Sequence, residues 1–468
     1  MSVIHDPHRM SKSQAFGAFR SWIGQSVVMV LLTLGGVLTF SAAEAVPSFA
    51  RQTGLGCAEC HNNFPALTPL GRQFKMMGYE LDDAPNRYPP LALMAAGSFT
   101  HTQAGQPGGA APHFGANDNA AFDALSLFYG GKIFSRLAVF AQVTYDGIAQ
   151  HVKMDNVDVR LANAFTVRDK PVILGLSLNN NPTVQDPWNT TPAWGFPFLS
   201  SGLAPTPAAA PLIAGGLAQQ VYGLSAYTLL NNLMYLEAGA YRRFNTGVRQ
   251  ALGVNQSGAD VADGLAPYWR VGLQHNWESG HYLSVGTFGL IADTFPGGDR
   301  TAGTDRRTDL GVDLEYQYIR PQHNITLLAT WIKEHQRWTA GQALGNAANA
   351  SDSLETFRAT VAYMYDRTYA INSGYFATRG SRDDGLYQPG AVSGSRTGRP
   401  DTSGFVVELD WLPFNKNGGP SYWPWLNAKF SVQYVMYDQF NGAGRNYDGL
   451  GRRASDNNTL YVSAWLAF

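Results

Sequence analysis

Cysteine is all but missing from this chain: 468 residues contain 2 cysteines. A disulfide framework is therefore excluded as the source of stability. Charge is sparse and balanced, with 34 Lys and Arg against 35 Asp and Glu. With no basic excess and no recognition-helix, RRM or zinc-finger pattern, nucleic acid is excluded as a partner. Beyond residue 45 no apolar run reaches the roughly 18 residues that mark a membrane-spanning helix. No hydrolytic triad or catalytic carboxylate pair stands out. What is abundant is glycine, at 50, with 22 Tyr, 25 Phe and 11 Trp. There is no Gly-X-Y period, and so many aromatics argue against disorder. The composition suits a glycine-rich, aromatic-rich β-structure.

Residues 1–45 read as a signal peptide. Arg9, Lys12 and Arg20 form a basic stretch, Val27 to Phe40 an apolar one, and Ala43-Glu44-Ala45 a small-x-small cleavage site. An uncleaved anchor would need about 20 apolar residues, more than are present here.

The two cysteines stand in Cys57-Ala58-Glu59-Cys60-His61. A thioredoxin-like pair would need a βαβ setting, and a zinc site a second ligand pair, and neither is visible. CxxCH is the attachment signature of a c-type haem. Cys57 and Cys60 would bond the porphyrin's vinyl carbons from one short helical turn, and His61 would be the proximal iron ligand. One covalently bound haem c is therefore expected, within a small cytochrome segment at 46–94. Pro69 opens a short helix capped near Thr68 and stopping near Gly78. The distal ligand stays open among Met76, Met77, Met94 and His101, with His113 a further candidate and a five-coordinate iron the alternative. So few residues cannot bury a porphyrin alone. The segment is expected to lodge in, or cap, the lumen of the larger body on its C-terminal side.

From residue 95 to 468 the period changes to two. Leu310, Val312, Leu314, Tyr316 and Tyr318 alternate with Asp309, Gly311, Asp313, Glu315 and Gln317. Phe357, Val361 and Tyr363 share a face opposite Arg358 and Thr360, and Phe430, Val432 and Tyr434 one opposite Lys429 and Gln433. Full charges on the second face suit a wet lumen, and the chain ends on an apolar-faced strand carrying Phe468. The fold class expected is mainly β: an outer-membrane β-barrel of about 16 strands, with short periplasmic turns and long external loops. Turns are expected at Gly130-Gly131, Arg168–Pro171, Asn231-Asn232, Glu278–Gly280 and Arg320–Gln322. Trp269, Trp277, Trp331, Trp338, Trp411, Trp423, Trp425 and Trp465 are candidates for interfacial girdles. The Pro- and Ala-rich loop at 181–219 is expected to fold inward or to cover the outer mouth. Asp82-Asp83 and Asp383-Asp384 are the acidic pairs that could offer oxygen ligands to Fe(II).

The stretch Phe49-Ala50-Arg51-Gln52-Thr53-Gly54, the CxxCH, then Phe64-Pro65-Ala66-Leu67-Thr68-Pro69-Leu70-Gly71-Arg72-Gln73-Phe74-Lys75 and Gly78-Tyr79 resembles the fused monohaem cytochrome c–porin family of outer-membrane iron oxidases. The resemblance implies an N-terminal monohaem domain on a barrel of about 16 strands. It implies an iron(II)-oxidising oxidoreductase that passes single electrons from extracellular Fe(II) to a periplasmic acceptor, a cytochrome c or copper protein. Cys57, Cys60 and His61 fall on the family's haem-binding positions. Where the family pattern has an aliphatic residue after Phe74-Lys75, this chain has Met76. The alternatives are an electron conduit for another extracellular donor or acceptor, a haem-plugged transport porin, and a soluble periplasmic cytochrome with an unrelated β-domain.

Overall fold

The structure is a computed structural model that describes residues 47–81, 89–197, 199–255 and 258–468. The expected signal peptide and the Asp82-Asp83 pair lie outside the described residues.

Period-two alternation produces antiparallel strands throughout. In chain order they are β1 Leu91–Thr102, β2 Asn119–Phe134, β3 Leu137–Asp146, β4 His151–Val167, β5 Lys170–Asn179, β6 Val221–Leu230, β7 Met234–Arg243 and β8 Ala266–Asn276. The second half comprises β9 His281–Phe295, β10 Asp305–Ile319, β11 His323–Arg337, β12 Ser351–Tyr365, β13 Tyr369–Gly380, β14 Thr402–Trp411, β15 Asn427–Gln439 and β16 Thr459–Ala467. A short piece, Val261–Asp263, continues β8 along β9 after a break. Each strand pairs with its sequence neighbours, and β16 pairs with β1 from Thr459↔Thr102 to Ala467↔Met94. The sheet is therefore a closed 16-stranded barrel without a free edge.

The barrel is apolar outside and polar inside. On β10, Leu310 and Val312 are 45% and 42% exposed, whereas Glu315 and Gln317 are 0%. Val361, Val432 and Leu466 also face outward, and Lys429 and Gln433 inward. In water this arrangement would expose a continuous apolar surface, which soluble proteins avoid. In a bilayer it is the favourable one, because closure satisfies every backbone group and the belt meets lipid. This is an outer-membrane type of barrel. Among the described residues no helix is long and apolar enough to cross a membrane.

Exposed Trp277, Tyr365, Tyr369 and Trp411 sit by the short turns and form part of one aromatic girdle. Trp338 and Trp465 are buried instead. Trp465 faces the lumen, its ring 5.6 Å from that of Phe64.

One expected turn is displaced. Gly130 and Gly131 lie inside β2, and the reversal falls at Ser135-Arg136. A Cβ on Gly130 would stand 2.8 Å from Ser48 Oγ and 3.3 Å from the Phe49 ring, and one on Gly131 would stand 2.7 Å from Pro90 Cβ. These glycines thin the wall where the N-terminal segment lies against it.

Candidate functional site

Residues 47–81 occupy the lumen at the short-turn end. Helix α1, Pro47–Thr53, lies on the glycine-thinned wall of β2. The single turn α2, Cys57–Cys60, leads into a small hairpin, His61–Asn63 with Ala66–Leu67, and then into α3, Pro69–Met76. The capping expected at α3 is present: Thr68 accepts from Gly71 N at 3.1 Å and Pro69 follows. The helix ends at Met76, two residues before Gly78, whose φ of +74° favours glycine. Gly71 lets α3 lie directly on the CxxCH turn, since a Cβ there would be 2.2 Å from Cys60 O.

Charged side chains fasten the segment to the wall. Arg72 pairs with Glu315 at 3.0 Å, both fully buried, and lies over the Tyr282 ring. Glu80 takes Lys132 Nζ at 2.6 Å and Arg136 N at 3.0 Å. Tyr79 donates to Asp158, which also pairs with Arg160. Asn62 donates to Thr326 Oγ1, and Gln317 to Leu67 O.

The 181–219 loop folds into the lumen above this segment. Lys75 Nζ donates to Val184 O at 2.9 Å, Asp186 O at 2.6 Å and Asn189 Oδ1 at 2.7 Å. Further along the loop, Leu212 N and Ile213 N donate to Glu334 and Asp309 of the wall. Burial pulls the Lys75 ammonium down to about 7, helped by nearby Arg160, while Asp186 and Asp158 oppose the shift.

Between segment, loop and wall lies a cavity of about 510 Å³. That is within the roughly 300–1,000 Å³ common for ligand and cofactor pockets. Phe49, Phe64, Phe74, Phe128, Phe140, Trp194 and Trp465 give it a largely aromatic lining, with Gln142, Asp155 and Arg358 among its polar groups.

Cys60 and His61 both line this cavity. Burial, and secondarily Glu59, raises the Cys60 thiol to about 11. Burial lowers His61 to about 4 against the opposing backbone of Ala66, so the ring is neutral and able to ligate a metal. His61 Nδ1 is buried without a hydrogen bond of good geometry. Cys57 is fully buried one turn back against Ala50, its sulfur accepting from Asn427 Nδ2 at 3.2 Å.

The candidate distal ligands separate. Met94, on the inner face of β1, lines the cavity that His61 lines. Met76 and Met77 instead pack toward Trp188, Tyr227 and Tyr235. His101 stands near the far end of β1, its Nδ1 2.6 Å from Asp118, and His113 lies exposed in the loop after β1. Because β1 begins at Leu91, ahead of residue 95, Met94 belongs to the wall.

The external acidic pair has a structural task. The Asp383 carboxylate accepts from the amides of Ala348, Asn349, Gly385 and Leu386, and Asp384 pairs with Arg382 at 2.8 Å. Among the described residues no group of three or more His, Cys, Asp or Glu is arranged to hold a metal ion.

Solved structures similar to this barrel include the anion-selective porin from Comamonas acidovorans, at 11% identity and TM-score 0.42, covering 81% of this chain and 98% of that one. Pseudomonas putida OprB, in a high-pH structure, is similar at 11% identity and TM-score 0.46, covering 81% and 94%. OmpT of Vibrio cholerae is similar at 10% identity and TM-score 0.40, covering 81% and 97%. No family model matches the chain, and no curated protein matches it in sequence.

Proposed function

We propose that this barrel carries electrons across the outer membrane through one c-type haem, attached at Cys57 and Cys60 and ligated by His61. The observation that carries the reading is one cavity, aromatic in lining, onto which Cys60, His61 and Met94 all open. The residues fit the group: a buried neutral imidazole beside a cysteine on one cavity, and aromatic walls suited to a flat apolar macrocycle. Bound there, the haem supplies a one-electron centre between an extracellular donor and a periplasmic cytochrome c or copper protein.

The chain's own residues do the rest. Arg72, Lys75 and Tyr79 anchor the haem-binding segment to wall and loop. The 181–219 loop covers the cavity from above. Met94 is the candidate for the distal position, and a thioether there would raise the reduction potential.

Extracellular Fe(II) is the donor that the sequence resemblance implies. Stopped-flow mixing of the detergent-purified protein with Fe(II) tests it: haem reduction within seconds supports iron oxidation. Reduction by other donors but not by Fe(II) assigns a different conduit.

A closed, polar-lined barrel of 16 strands favours a second reading, a transport porin plugged by its haem segment. Planar-bilayer conductance separates the two. A conduit gives a closed channel with the segment docked, whereas a porin passes solute whether or not haem is attached.

A further inference from the structure

Among the described residues, the cations buried in the lumen are partnered. Arg72 faces Glu315, Arg160 faces Asp158, and Arg270 faces Asp186 and Asp313. Lys429 faces Glu408 and Asp410, and Lys75 has its three acceptors. Arg358, on the inner face of β12, is instead exposed to the lumen space and has no ion pair or hydrogen bond among the described residues. It opens onto two cavities, the 510 Å³ one and a second of about 210 Å³ on the other side of the inward loop. Its surroundings include Pro192, Trp194, Phe196 and Phe376. Arginine is always charged, so this guanidinium offers a free counter-charge to an anion entering either cavity.

Arg358 also stands in a particular place. It pairs in register with Thr330, and Asn62, the residue after His61, touches Thr326 of the same strand. Four residues of strand separate the two levels, about 13 Å at roughly 3.3 Å per residue. The CxxCH turn is therefore low in the cavity and Arg358 high. A haem carries its two propionates on the edge opposite the vinyl groups that cysteines capture. A guanidinium is the side chain best shaped to take a carboxylate, through two parallel hydrogen bonds.

We propose that Arg358 is the carboxylate anchor of this cavity, binding a haem propionate. The proposal rests on the haem reading above and adds a residue that the CxxCH motif does not reach. The thioethers hold the cofactor covalently, so Arg358 positions it and tunes it.

The test compares detergent-purified wild type, R358Q and R358K by haem content, midpoint potential at one pH, and the propionate-bending band in resonance Raman spectra. Haem content should be unchanged in both variants. R358Q should lower the potential, since removing a nearby positive charge favours ferric iron, and should shift the propionate band. R358K should fall between, keeping the charge without the fork. If R358Q does not assemble, R358K carries the same comparison. Wild-type potential and band in the variants would overturn the proposal, as would an altered chloride conductance with unaltered haem signals. Absence of haem from the wild type would overturn the haem reading itself, a separate result.

Discussion

Lys75 Nζ donates to Asn189 Oδ1 at 2.7 Å, and Asn189 Nδ2 in turn donates to Pro65 O at 2.9 Å. One loop side chain thus holds both α3 and the hairpin between it and the CxxCH turn. K75M leaves its buried acceptors unsatisfied and should loosen the segment by about 1–3 kcal/mol. The lysine's value in place, about 7, lies below the ordinary 10.5. The docked state therefore binds fewer protons than the released one between these limits, and docking should strengthen as pH rises through that window. Hydrogen exchange of peptides from residues 47–81, followed against pH, reads both effects. Protection that does not rise with pH in wild type, or rises equally in K75M, contradicts this assignment.

Arg72 and Glu315 form a fully buried pair between the segment and β10. R72M strands a carboxylate in the lumen and should destabilise docking by about 3–5 kcal/mol. Urea unfolding with two probes separates the effects: protease sensitivity of residues 47–81 should appear at lower urea, while the heat-modifiable mobility of the barrel is kept.

Gly71 marks the closest approach of α3 to the CxxCH turn. G71A places a methyl group 2.2 Å from Cys60 O and should sharply reduce the yield of covalently attached haem. G97A is the control, since the nearest atom to its new methyl would be Ala121 O at 3.4 Å. Equal haem yields in the two variants would show that this close contact does not matter for attachment.

Met94 and Met76 make opposite predictions. M94L should change the haem's ligand-field spectrum and lower its potential, because Met94 shares the cavity with His61. M76L should leave both unchanged, because Met76 packs toward Trp188 and Tyr227. Spectra of the oxidised proteins decide between them.

The strands were legible because a barrel with a wet lumen writes its two faces in a period of two. Leu310 and Asp309, or Val432 and Gln433, announce their sides without any neighbour. Thr68, Pro69 and Gly78 likewise marked the limits of α3 by purely local chemistry. Gly130-Gly131 misled for a definite reason: glycine pairs usually mark turns, whereas here the missing side chains make room for Ser48 and Phe49 from another part of the chain. Arg358 could be placed on the inner face by alternation, but its surroundings depend on what distant parts of the chain bring into the lumen. Arg72 and Glu315 are 243 positions apart, and no local pattern links them. The acidic look of Asp383 was misleading for the reverse reason, since four backbone amides use its charge.

The decisive quantity is the position of iron. Crystals of the detergent-purified protein, with diffraction recorded on both sides of the iron absorption edge, give an anomalous difference map. One iron peak is expected inside the barrel, in the cavity between His61 and Met94, and it should vanish in a C57S/C60S variant. A barrel with no iron peak there, or with a peak outside its wall, would refute a haem held in the lumen.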